Sequence, residues 1–355
     1  MKHNSTKALF GVLFFFFPVV AILAGGLNEP KGSTSGSFQI GVFVPGVVEG
    51  SPTYEMMVNG VTRAKERAEQ EGYSVSLKVF EAGFNQAEWT ASLTAMVATG
   101  SYDLIVTSNP SLPDIVREIR KSFPEQHFLL LDGYLASDSR VKSIYFNQYE
   151  QAYIAGYLAG LVTQPDSGLS GSNAQKRIGL LAGQEYPVMD QQIRPGYLAG
   201  AQAVDPDITL DFRVLGNWYD AGKANDLVSS MFRNGVDTVL TIAGGGNQGT
   251  ISAAQSNNGY VIWYDSPGYS YAPGIIVGST LVRQEESTYE ATLQAITGAL
   301  DYGNPEILGV QEGAIGFHIS QEYIEALPES LRDEFERFLT AIQDGTTTIP
   351  SPRLF

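Results

Sequence analysis

The chain has 355 residues, no cysteine, three histidines and a formal charge of −16. Without thiols it has no disulfide, thiolate metal site or cysteine nucleophile, and with so few histidines, one of them His3, a histidine metal site or triad has little to draw on. The acidity argues against nucleic acid and anionic lipid as partners.

Lys2 and Lys7 precede an apolar run from Ala8 to Leu23 that includes Phe14 to Phe17, followed by the small residues Ala24, Gly25 and Gly26. A positive start, an apolar stretch and small residues are the layout of a secretory leader. An uncleaved anchor fits the same residues, because Ala8 to Leu27 matches the roughly 20 residues that span hydrocarbon. Leu23-Ala24-Gly25 also resembles the approach to a lipid-modified cysteine, but position 26 is Gly and offers no thiol. Residues 1–26 are therefore read as leader or anchor, and 27–37, polar and rich in Gly and Ser, as a flexible tether. Losing Lys2 and Lys7 with the leader takes the charge to −18.

The remaining body of about 318 residues suits two domains better than one core. Short β-branched runs alternate there with helical periodicity, the pattern of parallel βαβ units. Phe38 to Val44 reads as a strand and Tyr54 to Glu71 as a helix with Met57, Val61, Ala64 and Ala68 on one face. Val75 to Phe80, Leu104 to Ser108, His127 to Asp132 and Val141 to Phe146 follow as strands, with helices over Glu88 to Thr99 and Leu112 to Ser122 between them. A long helix from Tyr149 to Val162 and a Gly/Ser/Asn loop then lead into a second such series. Its strands are Arg177 to Ala182, Leu210 to Leu215, Thr238 to Ile242, Val261 to Tyr264 and Ile275 to Thr280. Its helices are Met189 to Ala203, Gly222 to Asn234 and Gln248 to Asn257. Gly313 to Ile319 reads as a late strand and Pro328 to Gln343 as a terminal amphipathic helix.

The fold class expected is α/β: two lobes in series, each a parallel sheet with helices on both faces, hinged around a cleft. The divisions are 38–147 for the first lobe, 148–282 for the second with its crossover helix, and 283–355 for a hinge return and C-terminal segment that partly rejoins the first lobe. Open sheets bind ligands at the carboxyl ends of their strands, so the cleft between the lobes is the expected site. By position, Asp132 ends a first-lobe strand, Ser108 and Asn109 end another, and Asn147 and Gln148 sit at the crossover. Each has a plain alternative, as helix cap, βα turn or hinge turn. Gly244 to Gly246 put bare backbone after a second-lobe strand, where N–H groups can approach a ligand or simply make a tight turn.

The stretches FNQYEQAYIAGYLAGLVT (146–163), KRIGLLAGQEYPVMDQQIRPGYLAGAQAV (176–204), NWYDAGKA (217–224) and AGGGNQG (243–249) together resemble the basic membrane protein family. That resemblance implies a periplasmic or lipid-anchored substrate-binding protein of an ABC transporter, with purine nucleosides as the ligands of its best understood branch. It places the family's stacking Phe on Tyr54, which keeps a π-face, and its hydrogen-bonding Asn on Glu55, which only accepts. The family's second stacking residue falls on Trp218, in Gly216-Asn217-Trp218-Tyr219-Asp220, with a core role as the alternative. Asp265 matches the aspartate that accepts from ribose hydroxyls. The family's ribose-binding lysine aligns with Val282, leaving the neighbouring Arg283 as the candidate cation.

The expected ligand-binding set is thus Tyr54, Glu55, Asn109, Asp132, Gln148, Trp218, Gly244, Asp265 and Arg283, with no catalytic residue, metal or cofactor. No G-x-S-x-G, G-x-G-x-x-G or H-E-x-x-H is present, and a non-enzymatic role is expected. The expected partners are a nucleoside-like small molecule and an ABC permease, with no nucleic acid and membrane contact only through the N-terminal segment. The chain is expected to act as a monomer in the periplasm or at the outer face of the cytoplasmic membrane. The competing reading is a membrane-tethered sensor or surface-exposed binding protein for a different, cationic ligand.

Overall fold

The computed structural model describes residues 36–350; the leader or anchor over 1–26 and nearly all of the tether over 27–37 lie outside the described residues. Val, Ile and aromatic side chains suit the buried pleat, and their runs become strands. Lobe 1 opens with β1 (Phe38–Val44), α1 (Pro52–Gln70), β2 (Val75–Glu81), α2 (Gln86–Ala98), β3 (Leu104–Ser108), α3 (Leu112–Ser122), β4 (His127–Leu131) and β5 (Val141–Phe146). Lobe 2 follows with α4 (Gln148–Val162), β6 (Arg177–Ala182), α5 (Arg194–Val204), β7 (Thr209–Val214), α6 (Ala221–Arg233), β8 (Thr238–Ile242), α7 (Asn247–Asn257), β9 (Tyr260–Trp263) and β10 (Ile276–Val282). The chain ends with α8 (Gln284–Thr297), β11 (Glu306–Leu308), β12 (Ile315–Phe317), α9 (Gln321–Ala326) and α10 (Glu329–Gln343).

The first sheet runs β2-β1-β3-β4-β5-β11 and is parallel throughout. The second runs β7-β6-β8-β9-β10-β12, parallel except where β12 lies antiparallel to β10. Five strands of each sheet thus share one order, and β4 and β9 are counterparts. β3 and β5 are buried at every position, as expected for strands covered on both faces.

The chain crosses between the lobes three times: after Phe146, after Val282, and between β11 and β12. α8 packs on α1, and β11 pairs with β5, so both belong to lobe 1. β12 and α10 return to the lobe 2 side, where α10 packs on α4. A three-residue β11 carries no periodicity, and the sequence holds no sign of it.

α4 is apolar nearly all round and almost wholly buried. It crosses α5 closely enough that a Cβ on Gly156 would stand 2.0 Å from the Tyr197 carbonyl oxygen, and one on Gly200 2.1 Å from that of Tyr153. The duplicated GYLAG segments of these helices supply the small residues this approach requires. The helix expected from Met189 to Ala203 is in fact two pieces: a π-helical turn over Met189–Ile193, then α5. Pro195 has no N–H to return to the preceding turn, and the Arg194 N–H bonds five residues back to Met189.

Candidate functional site

The carboxyl ends of both sheets face each other at the crossovers. Asp132 follows β4 and Asp265 follows β9 by two residues, so the two lobes present a carboxylate from corresponding places. Both take left-handed backbone, with φ of 51° and 71°, a turn that Asp tolerates better than bulkier residues. Gln148, at the start of α4, donates from Nε2 to Asp132 Oδ1 at 2.5 Å. Gln151, one turn on, donates from Nε2 to Asp265 Oδ1 at 3.0 Å and to Thr280 Oγ1 at 3.1 Å.

Burial pushes the Asp132 carboxyl up to about 8, with the bond from Gln148 pulling the other way and the charge of Asp265 adding to the rise. Asp265 is pushed up to about 6, again by burial and against the Gln151 bond. Besides burial, Gln148 and Asp265 act on Asp132 and Gln151 acts on Asp265, while the two acids in turn raise four surrounding tyrosines; among the described residues, no Lys, Arg or His figures with the pair. With its value raised this far, Asp132 can hold a proton and donate near neutral pH, and a nearby positive charge would draw both acids back to their accepting, charged forms.

Aromatic side chains surround the two carboxylates. The Tyr54 hydroxyl, on the first turn of α1, donates to the Pro45 carbonyl at 3.0 Å and accepts from Asn109 Nδ2 at 3.2 Å. Burial raises it to about 12, with Asp132 contributing. Tyr186, in the loop after β6, is raised by burial and by the charges of Asp132 and Asp265. Its ring lies 6.4 Å from that of Trp218 at 44°. Trp218 rests over Gly183, where a Cβ would meet the indole at 2.4 Å. Tyr145 of β5 donates to Gln192 Oε1 at 2.5 Å, a buried bond from lobe 1 to the π-helical turn of lobe 2. Tyr264 donates to the Gln148 carbonyl at 3.4 Å.

The structure thus gathers Tyr54, Asn109, Asp132, Gln148 and Asp265 around one locus, with Trp218 reaching it through Tyr186. Three expected members, Glu55, Arg283 and Gly244, are not brought there. Glu55 is exposed and its Oε1 accepts from the Gly50 N–H at 2.9 Å, so the carboxylate closes its own loop. Arg283 caps α8 with its side chain exposed and its N–H donating to Ala314, at a crossover rather than in the cleft. Gly244 begins a 3-10 turn, and a Cβ there would stand 2.8 Å from the Trp218 carbonyl oxygen. The run serves the tight turn before α7, which Asn247 completes by accepting from the Ala243 N–H. Asn147 is a helix cap, accepting from the Glu150 N–H. Ser108 donates to Gln284, which in turn donates to the Thr53 carbonyl, tying α8 to lobe 1.

Sequence reading missed Tyr145, Gln151, Tyr186, Gln192 and Tyr264. Gln151 shares a helix face with Gln148, an i,i+3 spacing visible in the sequence; the others depend on which loops the fold brings together.

Two sheets that share the order of five strands, joined by three crossovers with paired carboxylates and aromatic rings between them, make a two-lobed ligand-binding fold. The model of the Bmp family, ABC transporter substrate-binding proteins of the PnrA-like type, matches residues 38–344, and the chain belongs to that family. The ABC transporter nucleoside-binding protein BmpA of Lactococcus lactis subsp. cremoris (strain MG1363) is 26% identical over 67% of this chain and 66% of its own length. Basic membrane protein A2 of Borrelia garinii subsp. bavariensis is 24% identical over 90% of each chain. The crystal structure of ABC transporter system solute-binding proteins from Aeropyrum pernix K1 superposes with a TM-score of 0.73, covering 89% of this chain and 94% of that one at 22% identity.

Proposed function

We propose that this protein is the extracytoplasmic receptor of an ABC importer and closes its lobes over a purine nucleoside or a close analogue. The observation that carries this reading is the convergence of Asp132 and Asp265, one from each lobe, with Tyr54, Tyr186 and Trp218 around them. The rings supply flat walls for a base, worth about 1–3 kcal/mol per stacked base. Asp265 accepts from vicinal ribose hydroxyls, and Asp132 accepts from the ligand's other end. Closure then follows from a ligand that touches both lobes only in the closed form. Export rests on Lys2, Lys7 and the apolar run from Ala8 to Leu23.

A second reading, a cationic ligand, is favoured by one observation: two half-buried carboxylates share the cleft, and among the described residues no basic side chain acts on either. Titration calorimetry of residues 36–355, unfolded and refolded to strip bound ligand, separates the two. One-to-one binding of guanosine, adenosine or inosine supports the nucleoside, and Asp265→Ala should then weaken the nucleoside far more than the free base. Silence across nucleosides and bases, with binding of an organic amine, replaces it with the cationic reading.

A further inference from the structure

α4 starts at the first crossover and belongs to lobe 2, where it packs on α5, α10, β8, β10 and β12. The glycine-lined contact with α5 leaves it no room to slide independently of that lobe. Its first turn nevertheless holds a carboxylate of each lobe. Gln148 reaches across to Asp132 in lobe 1, and Gln151 stays within lobe 2 on Asp265 and Thr280. Both glutamines are buried, at 8% and 1% exposure, so neither amide has water as a ready substitute partner.

We propose that Gln148 and Gln151 are a pair of positioning residues that register the two lobes through α4, each holding one oxygen of one lobe's carboxylate and leaving the second for the ligand. The inference rests on the cleft being the binding site. A glutamine amide donates only from Nε2, and both Nε2 atoms point to Oδ1 of their carboxylate. A carboxylate held this way has lost its rotational freedom before the ligand arrives, which is where preorganised sites gain affinity. The two bonds differ in place: Gln148–Asp132 spans the lobes, whereas Gln151–Asp265 is internal to lobe 2. Around Asp132 stand Tyr54 of α1, Tyr145 of β5, Tyr186 of the loop after β6, and Tyr264 and Asp265 after β9. Among the described residues, Asp265 adds the only other carboxylate acting on it. With no basic group among them acting on either acid, the two amides are the main donors that hold their charged forms.

The test uses residues 36–355 without ligand, carrying aspartate labelled with carbon-13 at the side-chain carboxyl and titrated by NMR. Methionine keeps the length of glutamine and removes the donor. Gln151→Met should move the midpoint of Asp265 up by about one pH unit, the size of a single bond to a charged acceptor, and leave Asp132 nearly in place. Gln148→Met should do the reverse and should also enlarge the radius of gyration in small-angle scattering, because it removes one of the side-chain bonds that cross between lobes and leaves Tyr145–Gln192 to hold them. With guanosine as the probe, each substitution should weaken binding about tenfold. Unmoved midpoints in both variants, with circular dichroism unchanged, overturn the proposal. A wild-type protein that ignores guanosine overturns the nucleoside reading instead, and the midpoints still judge the glutamines.

Discussion

Replacing Asp132 by Asn should make stability insensitive to a pH range in which the natural protein loses it. A carboxyl whose folded-state value lies above its unfolded value binds its proton more tightly when folded. Its contribution is therefore complete below about pH 4 and is lost as pH rises toward the folded value, here about 8. The full displacement corresponds to a ceiling of about 6 kcal/mol at about 1.4 kcal/mol per pH unit. Asp132 keeps some contact with solvent and the lobes can part, so we expect about 2 kcal/mol after allowing for screening. The amide introduced by Asp132→Asn carries no charge to bury, and its oxygen can still accept from Gln148. At pH 8 the Asp132→Asn protein should melt about 3 °C above the natural one, and at pH 5 the two should nearly coincide. Differential scanning calorimetry of the ligand-free proteins at half-unit steps from about pH 4.5 to 8.5, the window set by the two carboxyl values, gives both curves. Parallel curves across that range would show that Asp132 is not a buried acid and would undo the electrostatic account of the cleft.

Trp218→Ala should lower guanosine affinity about 10- to 100-fold by removing a stacking wall, and Gly183→Ala should approach that loss by pushing the indole aside from 2.4 Å. Unchanged affinity in both, measured by calorimetry, removes Trp218 from the site. Asp237 is a separate buried acid in lobe 2, raised to about 7 chiefly by burial, whose Oδ2 accepts from Thr163 Oγ1 and the Asn173 N–H. By the same sign, its contribution is lost as pH rises from about 4 through 7. Asp237→Asn should therefore raise the melting temperature at about pH 8 and not at about pH 5, without altering the scattering profile, since both partners lie in the same lobe.

Much of the architecture was written in periodicity. Buried parallel strands are short apolar runs wherever they occur, so β1 to β10 announce themselves, and an acid directly after such a run, as at Asp132 and Asp265, falls at the end of a sheet where ligands bind. β11 and the π-helical turn did not, because one is three residues of edge pairing and the other comes from a missing N–H at Pro195. Within the site, alignment to a motif fixed positions along the chain but not the directions of side chains. Glu55 turned back to its own loop and Arg283 out to solvent, while Tyr186 and Gln192 entered from segments that carry no motif. Gln151 is legible in the sequence by its i,i+3 spacing from Gln148 at the start of the helix that follows the first crossover.

The threefold exchange of chain between the lobes also governs the order in which the molecule can be assembled. The sheet of lobe 1 is finished by β11, whose Leu308 pairs with Phe146, and α1 is covered by α8, where Gly60 lies against the backbone of Glu285. Nothing translated before these segments can complete that lobe, and lobe 2 in turn waits for β12. Closing loops of such length is slow, because the entropy is spent before the contacts form. A chain released residue by residue therefore reaches its native state only near the end of synthesis, and it stays extensible for most of the time in which passage through a membrane would require it to be so.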